Sequence, residues 1–201
     1  CVHKENQGVT RAREDGVKNA HGNWIMFVDS DDYIPPLAIE TLVCKTGDCG
    51  IIIGNVEVVG RDGWPFVISD MELPRLQYLK ILLSWKKIHW GPVARLYKKE
   101  LFSEKTFDIP KVITNGEDYL MNLRLGCKAE KIMLVDDVVY KYVFRTDSAM
   151  SKRPFRSVKY TLLFIVNILR SLSGFKKYLF VDIVRCVGHR LKMLVKFKLF
   201  G

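Results

Sequence analysis

The sequence predicts an α/β fold, a mixed sheet flanked by helices, and three observations carry that expectation. Helix-type and strand-type apolar spacings alternate from residue 8 to about residue 70. The apolar run Trp24–Val28 stops abruptly at Asp29, Ser30, Asp31 and Asp32, with Pro35 and Pro36 close behind, as a buried strand running out into a loop would. A further helix-like and strand-like succession follows Asn115.

In chain order, GVTRAREDGVKNA (residues 8–20) sets Val9, Ala12, Val17 and Ala20 at helical spacing, with Gly22 as the terminator. The next strand ends at Asp29. Pro36 can open a helix through about Lys45, and CGIIIGNVEVVG then reads as a strand, with RDG turning the chain into an extended WPFVIS segment. A helix is expected from Leu73 to Trp85. After the mixed aromatic and basic segment HWGPVARLYKKELF and a loop around Pro110, NGEDYLMNLRLG reads as a helix whose first turn carries acids, where the helix dipole favours them. KIMLVDDVVYKYVFR then supplies one or two strands. Beyond Pro154 the pattern is helical, with a break near Ser173 and Gly174.

Composition bounds the function. With 201 residues, 48% hydrophobic and 27% charged, the chain can bury a real core and is not a disordered protein. A net charge of +10 implies an anionic partner. Most of the excess belongs to the tail, because twelve Lys or Arg between Lys152 and Gly201 face the single acid Asp182. That tail reads as two amphipathic helices with basic polar faces. Either they lie in a membrane interface, drawn to anionic lipid, or they form an extension packed on the domain with solvated charges. No nucleic-acid-binding pattern occurs, so nucleic acid is not an expected partner. Five cysteines, Cys1, Cys44, Cys49, Cys127 and Cys186, are odd in number and lack CxxC spacing. They indicate neither a zinc site nor a disulfide framework and fit a reducing, cytoplasmic setting. The longest apolar tail stretch, YTLLFIVNIL, is too short to span a bilayer.

Three groups of residues could carry chemistry. Clustered Asp29, Asp31 and Asp32 repel one another unless a cation or ligand compensates; alternation along a strand edge would point Asp29 and Asp31 to one side, one toward a ribose or base and the other toward a metal. The plain alternative is a solvated loop capping the next helix. Glu117 and Asp118, at a loop-to-helix junction, could supply a general base or merely first-turn charge. Arg11, Arg13, His89, Trp90, Arg95, Tyr140, Tyr142 and Arg145 could bind diphosphate or stack on sugars and bases, or serve as surface ion pairs and core edges.

HKENQGVTRAREDGVKNAHGNWIMFVDSDDYIPP, followed by ARLYKKELF, NGEDYLMNLRL and YKYVFRTDSAMS, resembles the inverting family 2 glycosyltransferases of the GT-A fold over roughly residues 2 to 151. The resemblance implies a partial GT-A domain over residues 1–151, lacking the family's first strand-helix-strand unit, with a basic helical extension over 152–201. It implies that Asp29 and Asp31 form the Asp-x-Asp pair, with Asp31 facing a Mn or Mg ion that bridges a nucleotide diphosphate. Asp118 corresponds to the catalytic base, with Glu117 beside it. Arg13 would approach the nucleotide, and Arg145 with Ser148 would close over the diphosphate. The implied donor is a nucleotide-sugar, foremost a UDP-sugar, and the acceptor a glycan or lipid-linked molecule in cell-surface polysaccharide synthesis. The implied place is the cytoplasm or the inner face of the plasma membrane. One departure is that Glu14 stands where the family usually has Asn. The rival expectation is a catalytically inactive fragment or binding module of the same fold. The chain opens at Cys1 rather than Met and reads as part of a longer protein.

Overall fold

The computed structural model describes residues 2–60, 66–144 and 157–200, with side chains through Met193. Five strands make one sheet: β1 (Trp24–Ile25), β2 (Ile51–Val59), β3 (Met71–Pro74), β4 (Arg95–Lys98) and β5 (Lys131–Val143), in the spatial order β1-β4-β2-β5-β3. Every residue of β2 from Ile51 to Val56 is buried, the near-continuous apolar run of a strand covered on both faces. It pairs in parallel with β5, from Ile51 opposite Ile132 to Val59 opposite Val143, and antiparallel with β4.

Side-chain alternation divides the core in two. Ile51, Ile53, Ile132 and Leu134 face helices α3 (Arg75–Ser84), α5 (Glu117–Gly126), α6 (Val158–Ser171) and α7 (Lys176–Phe200). Ile52, Val56, Val135 and Val139 face α2 (Ala38–Cys44) through Ala38 and Leu42. Helix α1 (Val9–Asn19) packs against the short α4 (Glu104–Phe107), Val17 and Phe107 joining the first core.

The β2–β5 pairing slips register between Ile53 and Val56. Gly54 permits this, because a Cβ there would lie 2.4 Å from a Val139 methyl. Buried Asn55 closes the irregularity: its amide donates to the carbonyls of Ile68 (2.9 Å) and Asp136 (2.8 Å), while its side-chain oxygen accepts from the Ile68 N–H at 2.9 Å. The bulge thus leaves its polar backbone satisfied inside the protein.

Several elements differ from the sequence expectation. The β1 ladder stops at Ile25, and Asp29–Asp32 form a turn closed by an Asp32 N–H to Asp29 carbonyl bond of 3.1 Å. Helix α2 starts at Ala38, after Leu37 adopts φ 66°. Phe66–Ser69 carry no strand; pairing instead takes Met71–Pro74, of which Leu73 and Pro74 were expected to open a helix, because these residues add to the edge of β5. Residues 131–143 form one strand. The tail helices meet at the expected break and dock on the domain: Phe164, Ile168, Leu172, Leu179 and Ile183 are buried in the same core as the sheet. The Arg190 guanidinium lies between the rings of Trp85 and Phe164, 4.1 and 4.2 Å from their centroids.

Candidate functional site

The acidic loop is fastened to β5 before any ligand is considered. Asp32 accepts from the Tyr140 hydroxyl at 2.8 Å and from the Val143 N–H at 2.9 Å, and that same hydroxyl accepts from the Asp29 N–H at 3.0 Å. Tyr33 and Lys141 exchange backbone hydrogen bonds of 3.0 and 2.9 Å. Burial, with the Asp32 carboxylate beside it, pushes the Tyr140 phenol well above its ordinary range and keeps it protonated as a donor. Asp32 is therefore committed to scaffolding. Asp29 and Asp31 remain exposed.

These two carboxylates owe their placement to the turn and its anchors, not to strand alternation. Asp29 titrates above its usual range: desolvation on its inner side raises it, Arg13 opposes, and Asp32, Asp118 and Asp31 add repulsion. Burial also raises the Tyr142 phenol, and the same Asp32, Asp31 and Asp29 add to it, so this ring borders the acidic loop.

Arg13 connects the loop to the other acidic group. It projects from α1 with 11% of its side chain exposed, pairs through Nη1 with Asp118, and reaches Asp29 through Nη2 at 3.9 Å. Its guanidinium carbon lies 5.9 Å from the Phe27 ring centroid. Residues 105 positions apart in sequence thus meet, and Arg13, Asp29 and Asp118 form one constellation. Glu14 turns away from it: its nearly buried carboxylate pairs with Arg11 and, at 2.9 Å, with Lys18 of the same helix. That intrahelical clamp is what the residue replacing the family's usual Asn does here.

Asp118 sits in the first turn of α5, partly exposed at 21%, whereas the neighbouring Glu117 is buried at 6%. Gly116 precedes them at φ 105°, and a Cβ on it would meet the Phe164 ring at 2.6 Å. Beside it the Tyr160 hydroxyl of α6 donates to the Asn115 carbonyl. The tail helix therefore holds the loop that presents Asp118, a long-range contact that no local pattern announces. Gly116→Ala is expected to destabilise the protein by about 1–3 kcal/mol, from strain at positive φ and overlap with Phe164, read as a lower urea midpoint.

Other expected site residues lie elsewhere. Arg95 is fully buried, donating from Nε to the Gly91 carbonyl at 2.9 Å, from Nη1 to the Tyr78 hydroxyl at 2.9 Å and from Nη2 to the His89 carbonyl. Burial first, then Arg95, lowers the His89 imidazole to about 3, so it is neutral. Both build the core and neither reaches a diphosphate. Arg145 and Ser148 fall outside the described residues.

For a divalent cation, the exposed carboxylate of Asp31 is an oxygen donor of the kind that suits Mn or Mg, which commonly take one or two carboxylates and complete their shell with phosphate and water. A second acidic group, Asp48, Cys49 and Glu72, brings three ligand atoms together, but Lys131 Nζ already lies 2.7 Å from Asp48 and 3.2 Å from Glu72. An ammonium supplies the positive charge there.

The sequence model of Glycosyl transferase family 2 matches residues 1–105, more than half of the chain. Glycosyltransferase GlyA of Streptococcus pneumoniae serotype 4 is 30% identical over 163 residues, covering 73% of this chain and 23% of that protein. The poly(ribitol-phosphate) beta-glucosyltransferase of Bacillus spizizenii is 30% identical over 139 residues, covering 67% of this chain and 21% of that protein. The chain thus spans less than a quarter of either relative. Among solved structures, Staphylococcus aureus TarS 1-349 in complex with UDP-GlcNAc superposes with a TM-score of 0.67 over 96% of this chain and 64% of that one, at 17% identity. Agreement of backbone at that identity establishes the shared GT-A fold. Fold and sequence model together show that the chain belongs to glycosyl transferase family 2.

Proposed function

We propose that this chain carries the catalytic part of an inverting, metal-dependent glycosyltransferase that uses a nucleotide-sugar. The observation that carries the reading is Arg13 joining Asp29 of the acidic loop to Asp118 at the start of α5. This contact supports a reading in which Asp29 serves the donor and Asp118 the acceptor on either side of a single guanidinium. The binding of UDP-GlcNAc by TarS supports a UDP-sugar as the donor class. The poly(ribitol-phosphate) relative supports a cell-surface polymer or its lipid-linked precursor as the acceptor.

In this reading Asp118 accepts the proton of the acceptor hydroxyl as that oxygen attacks the anomeric carbon, and a single displacement inverts the configuration. Arg13 holds the Asp118 carboxylate in place and draws Asp29 toward it. Asp31 would hold Mn or Mg and Asp29 the ribose or base; the bound cation supplies neutralising charge to the departing diphosphate. Glu117, buried beside Asp118, would act through that neighbour rather than by meeting the acceptor itself. Arg145 and Ser148 keep their proposed place over the diphosphate. A lipid-linked acceptor also implies work at the inner face of the plasma membrane.

Calorimetric titration with UDP, with and without Mn, tests this. Binding that requires Mn supports it. Failure of UDP and of the other nucleoside diphosphates to bind in Mn would favour an inactive module of the same fold.

A further inference from the structure

The tail helices were expected either to lie on a membrane or to pack on the domain, and α7 does the second while keeping the means for the first. Its inner face is spent on the core: Leu179, Ile183 and Cys186 are buried, and Arg190 rests on Trp85 and Phe164. About a third of a helical turn away, Phe180, Val184 and Leu191 form an outward stripe, Phe180 being 68% and Val184 53% exposed, with Val181 beside them at 55%. Exposed Lys177, Arg185 and Lys192 lie along one side of that stripe, and Asp182 is the one acid in the tail. Among the described residues no helix is long and apolar enough to cross a membrane.

We infer that this outer face of α7 is a docking surface for an anionic lipid interface. A water-exposed phenylalanine and three aliphatic side chains bordered by lysine and arginine match a layer that offers acyl chains beneath negative headgroups. A second copy of the chain fits less well, since it would set the same cations against themselves. A nucleic acid would satisfy the charges but leave the apolar stripe without a partner. The surface deepens the membrane-side reading above, yet its test needs neither Asp31 nor Asp118, so it can fail or succeed apart from the donor site.

The test is co-sedimentation of the chain with phosphatidylcholine vesicles, with and without about one-third phosphatidylglycerol, at low and high salt. Binding is expected to the anionic vesicles alone and to weaken as salt rises. Phe180→Ser with Val184→Ser, and separately Lys177→Glu with Arg185→Glu, should each reduce partitioning roughly 10-fold or more, with unchanged circular dichroism because all four positions are exposed. The inference is overturned if the chain ignores anionic vesicles or if both variant pairs bind like the parent. It is equally overturned if light scattering shows a dimer that the apolar substitutions dissociate.

Discussion

Asp118→Asn should abolish sugar transfer while leaving the affinity for UDP and Mn unchanged. A positioned general base contributes on the order of 100- to 10,000-fold, and a loss within that range is expected in initial rates at saturating donor. Asparagine is the informative replacement because its amide oxygen can still accept from Arg13, which preserves the contact between α1 and α5 while removing basicity. Alanine would remove both and confuse misplacement with chemistry. If Asp118→Asn transfers sugar at a rate near the parent's, Asp118 is not the base, and the Arg13–Asp118 pair is a structural bridge.

Asp31→Ala should have the opposite signature, losing the Mn dependence of UDP binding, with apparent affinity in Mn falling by about 100-fold and the fold intact. The Asp31 side chain is exposed, and removal even of a group supporting a metal ligand commonly costs about 10- to 100-fold in metal affinity. Asp32→Ala is the control for loop integrity. It strands the Val143 N–H and the Tyr140 hydroxyl, so it should lower the unfolding free energy by about 1–3 kcal/mol, measured in urea. Should Asp31→Ala leave the Mn requirement intact, the cation is held elsewhere.

What could be read from the sequence was whatever local spacing fixes. The helix at Val9–Asn19, the acid-led helix at Glu117, the paired tail helices and their break all follow from apolar period and punctuation. The family resemblance singled out Asp29, Asp31, Asp118 and Arg13, and the fold brings Arg13, Asp29 and Asp118 together. Local spacing misled where tertiary pairing decides. Met71–Pro74 has nothing strand-like of its own beyond an edge of β5 to join, and the preceding Phe66–Ser69, which looked extended, has no such edge. Arg95 and His89 stood in the basic and aromatic set because a guanidinium fork suits diphosphate and aromatic faces stack on sugars or bases. Only the carbonyls of His89 and Gly91 and the Tyr78 hydroxyl, converging from separate segments, make a buried guanidinium tolerable. The hold of Tyr160 and Phe164 on the Asn115–Gly116 loop was equally hidden, being a contact between segments about 45 residues apart.

The fastening of the acidic loop by Asp32, Tyr140 and the Tyr33–Lys141 bridge has a thermodynamic consequence. Ordering those residues costs conformational entropy of roughly 1–2 kcal/mol each, and here that loss falls on folding of the domain instead of on arrival of a ligand. In the proposed function a nucleotide and its cation would meet a receptor already set, and their association should show little of the unfavourable entropy that accompanies loop closure. Release of ordered water from the carboxylates and the cation then has only the ligands' own lost freedom to offset.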